Sequence, residues 1–476
     1  MARFGFVLPL SSSVPSSRRS LLVLSRGAWA LSLNCRQSLL RFVFASSLCF
    51  SVQFSRAQSI TGLAPFAPLQ GGGAEIVNLA NLNVHLSIPV VQKPGRGLDF
   101  HYVLNYDSTV WTHAYPYGAW TPAPNWGWRG VSEASVGYMP YFYYYNPPGW
   151  PSGTNLYSLG EYSDRNGTSH PMKPGNTGYL CWPYEGINCQ TSGQWSAADG
   201  SGYTLNANVN NNVLSVSIVD SSGDVILPPL INITNGIPTN TNRPGSVTDP
   251  NGNQLSTTGS SFTDTLGMNV LTVSGGNPTS YTYTGPNQTS EAVKINYSSF
   301  TVATSFGCAS DPEYPPTQVN LVSSILMPDG TKYTFLYEKN GSYYTGRIAE
   351  MDLPTGGSIK YQYTGTNNGI ECVGGTQAGL TRTLSDGSVW QYTRSNDWAT
   401  TTITDPAQNQ TVMTTSNGAA IQTKAYQGSS TTGTLVLTVT TCYNAQAAPC
   451  TTPTGPPSNA PAAITVITLP QGGKSS

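Results

Sequence analysis

Two neighbouring stretches of this sequence repeat the same order of turn and strand, and this repetition limits the fold more than any other feature. The segment 327–365 reads MPDGTKYTFLYEKNGSYYTGRIAEMDLPTGGSIKYQYTG, and each P-x-G turn in it is followed by a strand with tyrosines at every second position. Side chains of a β-strand alternate between its two faces, so this spacing places the tyrosines on one face. The pattern predicts β-hairpins.

The first of these hairpins can be traced residue by residue. Tyr333, Phe335 and Tyr337 are predicted to lie on one face of the first strand, with more polar residues on the other. Asn340-Gly341 then suits a two-residue hairpin turn, after which the chain returns through a second strand. We expect the aromatic face to pack against neighbouring hairpins.

The turn glycines recur along the chain. Gly330, Gly357 and Gly387 lie roughly 30 residues apart, the length at which a supersecondary unit stacks on its neighbours instead of closing its own core. Segments 247–254 and 403–412 are degenerate copies of the same turn. We therefore predict an all-β fold, in which repeated β-hairpins stack into an extended or shell-like β-sheet architecture. Only 9% of the residues are charged, which leaves little from which to build long surface helices.

The segment 327–363 resembles the YD-repeat, or Rhs, family. In that family a tyrosine-rich strand leads through a Tyr…Gly-Arg-Ile/Leu element to a P-x-G turn and a Tyr-x-Tyr strand. The matching residues are Tyr343, Gly346, Arg347, Ile348, Gly357, Tyr361 and Tyr363, with Tyr344 as a small irregularity. Segments 78–111, 164–172 and 198–205 resemble the region that precedes the repeats in secreted bacterial members.

The resemblance implies a role as a shell. Proteins of this family wind β-hairpins into a hollow structure that encloses a C-terminal effector, often a toxin, and related animal proteins use the same shell for recognition at the cell surface. The sequence after Cys450 departs from the family, because the Asp-rich motif that closes and cleaves the shell is missing there. We therefore expect a non-catalytic scaffold, with an encapsulated effector or cell-surface glycans as partners, and no toxin activity in this chain.

The first 57 residues have the composition of a secretory leader. They contain seven arginines and no acidic residue, and a 13-residue apolar run from Phe42 to Phe54 precedes small residues at Ser55 and Ala57. This order predicts a signal peptide that is cleaved after Ala57. The run is shorter than the ~20 residues that a transmembrane helix needs. A buried hydrophobic strand is the alternative, and we expect a secreted or cell-surface protein.

The remaining sequence divides into three predicted parts: an aromatic-rich β-region at 58–243, hairpin repeats at 244–441, and a Thr/Pro/Ala tail at 442–476 that we interpret as a truncated repeat region. Without the leader the chain has 15 basic and 23 acidic residues. Phosphate binding requires clustered Lys and Arg, so nucleic acid is a poor partner.

Six cysteines follow the leader, and an oxidising destination predicts that they form disulfides. Cys181 and Cys189 bracket one short segment and Cys442 and Cys450 another, so each pair can close a short loop. Cys308 and Cys372 are then partners by elimination, although six cysteines allow 15 pairings and spacing does not choose among them. No spacing typical of structural zinc is present.

Catalytic and metal-binding motifs are weak in this sequence. None of its four histidines lies in an H-E-x-x-H motif or beside a G-x-S-x-G nucleophile elbow. His85 and His101 fall within strand-like alternation, which favours a structural role for both. Glycoside hydrolysis by a pair of carboxylates stays an alternative function, because the two groups have to be close in the folded structure and not in the sequence. The D-x-N-x-N sequence at Asp249 has a serine, Ser260, where a calcium loop needs glutamate, so turn formation is the better interpretation. We expect no cofactor and no metal.

A carbohydrate-binding surface protein or adhesin is the alternative function. The stretch GYMPYFYYYNPPGW at 137–150 is rich in rings that can stack on sugars, and Tyr143 and Trp150 are the candidate contacts. Buried packing beneath a proline-rich loop is the competing interpretation of the same rings.

Overall fold

The computed structural model describes residues 61–113, 118–172, 179–183, 190–234, 242–309, 311–443, 462–469 and 474–475. The predicted signal peptide at 1–57 and its cleavage site lie outside these residues, as do Cys189 and Cys450.

The described chain is built almost entirely from β-strands. The first eleven strands are β1 (Leu69–Gly72), β2 (Glu75–Asn78), β3 (Val84–Lys93), β4 (Phe100–Asp107), β5 (Trp111–His113), β6 (Trp120–Pro122), β7 (Met139–Tyr145), β8 (Asn155–Leu159), β9 (Glu161–Ser163), β10 (Ser169–Pro171) and β11 (Tyr179–Trp182).

The remaining strands are β12 (Ser192–Ser196), β13 (Thr204–Asn210), β14 (Val213–Val219), β15 (Val225–Leu227), β16 (Leu230–Asn232), β17 (Gly245–Thr248), β18 (Gln254–Thr257), β19 (Ser261–Thr263), β20 (Asn269–Gly275), β21 (Thr279–Thr284), β22 (Ser290–Val302), β23 (Thr317–Leu326), β24 (Lys332–Asn340), β25 (Tyr343–Asp352), β26 (Ser358–Tyr363), β27 (Gly379–Leu384), β28 (Val389–Arg394), β29 (Thr400–Thr404), β30 (Gln410–Ser416), β31 (Ala419–Gln427), β32 (Thr434–Tyr443), β33 (Ala462–Thr468) and β34 (Lys474–Ser475).

Among the described residues, helical structure is limited to single turns. They are a 3-10 turn at Pro124–Gly127 and the helical turns Glu133–Val136 and Thr366–Gly369. Within the described ranges, no helix has the length and apolar character required to cross a membrane.

One sheet dominates the architecture. Twenty-two strands, β12 to β34 without β16, form an antiparallel sheet in which each strand pairs with the next one along the chain. A four-stranded sheet β1–β4 precedes it, and a second four-stranded sheet has the order β11-β8-β7-β16. The predicted all-β fold of repeated hairpins is confirmed. The predicted boundary at residue 243 falls inside the large sheet, between the paired strands β15 and β17.

Nine of the described turns share one hydrogen-bonding pattern. In each, the N–H of the first residue donates to the carbonyl of the fifth, and the N–H of the fourth donates to the carbonyl of the first. This is a three-residue loop whose fourth position adopts a left-handed conformation, which favours glycine. The first residues of the nine turns are Asp164, Asp220, Asp249, Asp264, Gly285, Met327, Leu353, Leu384 and Asp405.

This pattern corrects the predicted glycine spacing at one point. Gly330 and Gly387 occupy the fourth position of their turns with φ of +86°, as the repeat predicts. The equivalent residue of the middle turn is Gly356, at φ +85°, and Gly357 is the residue after it. The sequence LPTGG offers two adjacent glycines, and only the hydrogen bonds identify which one takes the turn position.

The alternation predicted for the first hairpin is confirmed by burial. Phe335 and Tyr337 are buried in β24, whereas Leu336 between them is 52% exposed. The two-residue turn was predicted one position too early. Asn340 pairs with Tyr343 as the last ladder position, so Gly341 and Ser342 form the turn. Gly341 has φ +60°, and glycine at the first of two turn positions is the requirement of a type II′ turn.

The main hydrophobic core lies between the sheet β1–β4 and the large sheet. Phe100 packs on Phe262 and Tyr102 on Tyr281, with ring centroids 5.7 and 5.5 Å apart. Further along the large sheet, Trp128 contacts Phe335 at 5.4 Å. Aromatic rings each bury a large apolar area, so these contacts join the N-terminal residues to the predicted repeats in one core.

Candidate functional site

The predicted repeat motif centres on a buried guanidinium. Arg347 is 2% exposed, and its Nε and Nη2 donate to the two carboxylate oxygens of Glu338 at 2.7 and 3.0 Å. Nη1 and Nη2 also donate to the carbonyls of Gly369 and Asn368 at 3.1 and 2.9 Å. The guanidinium carbon lies 4.2 Å from the ring centroid of Tyr363. The motif arginine therefore joins β24, β25 and the helical turn at Thr366–Gly369.

The glycine of the motif provides room for a tryptophan. Gly346 has φ +78°, and a Cβ added to it would lie 2.8 Å from the Trp126 ring. Trp126 itself adopts the left-handed region, with φ 56° and ψ 42°. The β24–β25 register shifts between Tyr337 and Lys339, which places Gly346 in an irregular part of the ladder. The irregularity noted at Tyr344 in the sequence corresponds to this shift.

The other motif residues divide between core and surface. Ile348 is buried, and its N–H donates to the Tyr106 hydroxyl at 3.2 Å, while the Tyr363 hydroxyl donates to the Ile348 carbonyl at 2.9 Å. Tyr361 is buried as well, whereas Tyr343 is 41% exposed.

A second cluster, which the sequence did not indicate, contains a serine, a histidine and an aspartate. His85 and Asp107 are directly opposite each other on β3 and β4, and Ser87 is opposite Asn105. His85 Nδ1 lies 3.0 Å from Asp107 Oδ1, and His85 Nε2 lies 3.0 Å from Ser87 Oγ. The order of these contacts is that of a serine nucleophile, a base and an orienting carboxylate.

Two features of this cluster favour a structural role. The Ser87 hydroxyl has one proton, which it donates to Asn105 Oδ1 at 2.9 Å. Activation of Ser87 by His85 therefore competes with a hydrogen bond to a buried side-chain amide. Asp107 also accepts from the Gly62 N–H, from Asn83 Nδ2 and from Arg129 Nη2 at 2.8, 2.6 and 2.6 Å. The Asp107 carboxylate therefore contacts four residues, Gly62, Asn83, His85 and Arg129, and connects the segments that carry them to β4.

The charge of Asp107 is stabilised by these neighbours. Burial alone would raise the pKa of its carboxyl, but the charges of His85 and Arg129, with the hydrogen bonds from His85 and Asn83, lower this pKa to about 2. Asp107 is therefore ionised at neutral pH.

A third cluster surrounds His170. Its Nδ1 lies 2.7 Å from Asp199 Oδ2 and its Nε2 lies 3.4 Å from Asp164 Oδ2, while the Tyr203 ring packs at 4.6 Å between centroids. Burial disfavours the charged imidazole, yet the hydrogen bonds and charges of Asp164 and Asp199 raise the pKa of His170 to about 9. The two aspartates begin or flank turns, so this ion pair fixes turn geometry.

Long-range polar contacts connect the N-terminal strands with the large sheet. Arg382 donates from Nε and Nη2 to Glu75 at 2.8 and 2.6 Å. The Thr401 hydroxyl donates to the Leu79 carbonyl at 2.7 Å, and Trp111 Nε1 donates to the Thr345 carbonyl at 2.7 Å. All of these groups are mostly buried, so the contacts satisfy polar atoms at the interface instead of forming an open site.

The predicted cysteine residues lie in separate parts of the fold. Cys308 and Cys372 are joined in a disulfide, the pairing expected by elimination. Cys181 and Cys442 are also disulfide-bonded, and their predicted partners lie outside the described residues. Among the described residues, no group of three or more His, Cys, Asp and Glu side chains is arranged to hold a metal. The Asp249 carboxylate accepts from the N–H groups of Asn251 and Asn253, as in an Asp-capped turn.

The two candidate sugar contacts differ from the exposed rings of their stretch. The Tyr143 hydroxyl donates to Asn155 Oδ1 at 2.5 Å, and its ring packs on Tyr157. Trp150 is half-buried against a small cluster at Leu156. Phe142 and Tyr144, which alternate with Tyr143 along β7, are 40% and 41% exposed. Sugar contact through Tyr143 and Trp150 stays a prediction.

The similarity of this chain to known proteins is weak. No protein-family model and no curated protein matches the sequence. Among solved structures, a chain in the crystal structure of TcdB2-TccC3 is similar with a TM-score of 0.20 and 9% identity, over 84% of this chain and 24% of that one. The chain thus spans about a quarter of that structure's length. A similarity at this TM-score carries no argument about fold or function.

Proposed function

We propose that this chain is the non-catalytic β-hairpin scaffold of a secreted or cell-surface YD-repeat protein, and that its sheets form part of a shell around an effector or a cell-contact surface. The strongest support for this proposal is that the motif residues pack against other parts of the fold. Arg347 contacts a carbonyl of the helical turn Thr366–Gly369, Gly346 lies against Trp126 in the 3-10 turn, and Ile348 contacts Tyr106 on β4. In a repeat protein, such contacts between neighbouring units supply the stability.

Two further observations support the proposal. The hydrogen bonds of the Ser87–His85–Asp107 cluster are used to join strands, which is expected of a structural polar network. The Cys308–Cys372 disulfide suits an oxidising compartment such as the cell exterior.

Export can be tested in a secreting host. We expect the chain in the extracellular or surface fraction with Gln58 as its first residue, which mass spectrometry of the terminal peptide measures. Retention in the cytosol with the segment 1–57 intact would contradict the secreted role.

Enclosure requires a separate test. A reporter segment with a protease site, fused after Ser476, should be cleaved more slowly than the same reporter fused to an unrelated folded domain. The matched control is the Arg347→Met variant, in which loosened hairpin packing should restore fast cleavage. Equal cleavage rates for the fusion and the unrelated control would mean that the chain does not enclose the reporter. This result would contradict the shell and keep only the scaffold role.

A further inference from the structure

A cavity of about 520 Å³ lies against the large sheet and has no part in the proposed scaffold role. Strands β20 to β23 form its floor, and the segment 125–131 forms one wall. Its volume falls within the range of about 300–1,000 Å³ that is typical of ligand pockets.

An irregularity in the sheet lies beside the cavity. The ladder between β22 and β23 shifts register at Asn296 and Tyr297. The side chain of Asn277 accepts from the Tyr297 N–H at 3.0 Å and donates to its carbonyl at 2.9 Å, so a side chain satisfies these backbone groups beyond the point where β22 pairs with β21. Glycines at the rim, such as Gly275 and Gly259, leave space where side chains would otherwise project. Bulges next to open space are a recurring feature of binding sites.

The lining carries hydrogen-bonding groups that the fold does not use. Five side chains that line the cavity make no hydrogen bond to another described residue: Asn125, Ser260, Ser274, Tyr297 and Asn320. Amides and hydroxyls can each donate and accept hydrogen bonds. These side chains therefore suit a ligand with hydroxyl groups, because a hydroxyl group also donates and accepts hydrogen bonds.

The charge of the lining favours a neutral ligand. Arg129 is the one charged residue among the described lining residues, and its Nη2 lies 2.6 Å from the buried carboxylate of Asp107, while its Nε makes no hydrogen bond to another described residue. The charge of Arg129 is therefore already balanced by Asp107, and the described lining offers no carboxylate to an ammonium group. A ligand without charge suits this lining best.

Aromatic rings supply the apolar part of the site. Of the aromatic residues in the lining, Trp126 and Tyr297 are half-buried, whereas Trp128 and Tyr281 are buried in the core behind them. Such rings offer flat apolar faces, and Tyr adds a polar tip. A ligand with apolar C–H faces and several hydroxyl groups uses both parts of the lining.

We propose that this cavity binds a neutral saccharide, held by the amides of Asn125 and Asn320 and by the Tyr297 hydroxyl against the aromatic wall. The proposal places carbohydrate binding on the large sheet, away from Tyr143 and Trp150. It does not depend on the shell, because the cavity lies within this chain.

The test is a glycan array of neutral mono- and oligosaccharides, followed by titration calorimetry with each saccharide that binds. We expect at least one neutral saccharide to bind the chain from Gln58 onward at one site per chain. Asn320→Ala should weaken that affinity about tenfold, and Tyr297→Phe several-fold. Gln318→Ala is the matched control, because Gln318 is an exposed amide two residues from Asn320 on β23 and does not line the cavity. It should bind as the unchanged chain does.

Three outcomes would overturn the proposal: no neutral saccharide binds, only charged glycans bind, or Asn320→Ala and Gln318→Ala lose affinity equally. Thermal melting of each variant identifies any loss of fold, and Asn125→Gly provides a further check. Glycine keeps the left-handed backbone of residue 125, at φ 49°, and removes only the amide. This variant should also weaken binding about tenfold while melting at the same or a higher temperature, and unchanged affinity would count against the site. Export and enclosure, measured separately, are expected to be unaffected by these changes.

Discussion

Arg347 illustrates how a residue that is polar in sequence can act as part of a core. Its guanidinium is enclosed by the Glu338 carboxylate, two backbone carbonyls and the ring of Tyr363. Arginine suits this place better than lysine, because its planar group forms paired hydrogen bonds with a carboxylate and stacks on an aromatic face at the same time. The resemblance identified Arg347 as a motif residue, but its partners are set by the fold.

The Arg347→Met variant should lower the free energy of unfolding by about 3–5 kcal/mol, because Glu338 and two carbonyls lose their buried partner. Urea denaturation of the chain from Gln58 onward measures the change. Lys360→Met is the matched control, since Lys360 is an exposed partner of Glu350 at 3.3 Å and its loss should cost less than about 1 kcal/mol. Equal effects of the two substitutions would mean that Arg347 is not part of the core.

His170 should make stability depend on pH in the alkaline range. The pKa of this imidazole is about 9 in the folded chain and about 6.5 when unfolded. Its charged contacts therefore contribute fully below pH 6.5, and the contribution is lost as the pH rises toward 9, on the order of 3 kcal/mol in all. Urea denaturation at pH 6, 8 and 10 should show a larger fall for the unchanged chain than for His170→Gln. Parallel curves for the two proteins would refute this linkage.

The five-residue turn is the recurring element of the fold. Seven of its nine described copies have glycine in the left-handed fourth position, and two have Gln288 and Gln408, at φ 57° and 64°. In four copies the carboxylate of a leading aspartate accepts from the N–H groups of both the third and the fifth residue, as Asp249 does. The side chain thereby supplies acceptors where the ladder ends.

Gln408→Gly should raise the free energy of unfolding by about 1 kcal/mol, because a non-glycine residue in the left-handed region carries a steric cost of that size. Gly330→Ala should lower it by a similar amount. A Cβ on Gly330 would meet no atom within 4 Å, so the loss would come from the backbone alone. Gly160→Ala, at an equally open site without a positive φ, is the control. A melting temperature of Gly330→Ala equal to that of Gly160→Ala would contradict this account of the turn.

Local sequence predicts these elements better than it predicts their partners. The faces of β24 follow from alternation, and the turns follow from glycine and aspartate. The turn at Gly341 and Ser342 was misplaced by one residue, because both Asn-Gly and Gly-Ser suit tight turns and only the ladder decides. The cluster of His85 and Asp107 was missed for a related reason. H-x-S and N-x-D on successive strands are its signal, and the two align only when the register of β3 and β4 is known.

At the scale of the whole molecule, distant segments are joined covalently and by packing. The Cys308–Cys372 disulfide joins the segment before β23 to the segment after β26, with a sequence separation of 64. Elimination among six cysteines led to this pair, but no local pattern could have led to the contact of Glu75 with Arg382. Their separation of 307 residues lies beyond the reach of periodicity.

The double variant Cys308→Ser/Cys372→Ser should lose about 2–4 kcal/mol of stability, because the unfolded chain gains the conformational freedom that the crosslink removes. Urea denaturation without reductant measures the loss. Thiol titration of the unfolded variant should show no more free thiols than the unchanged chain, since both cysteines of one bridge are replaced. An unchanged denaturation midpoint would show that the rest of the fold makes the crosslink redundant.

The packing of β1–β4 on the large sheet has a consequence for how the chain is made. At about 5–20 residues per second, a ribosome needs roughly 15–60 s to extend the chain from Glu75 to Arg382. During that time Phe100, Tyr102 and the other core-facing rings of the first sheet have been synthesised, but their later partners have not. Contacts this distant in sequence form slowly, and exposed aromatic faces aggregate. Shielding the earliest strands until their partners in the large sheet have been made would therefore protect the chain from aggregation.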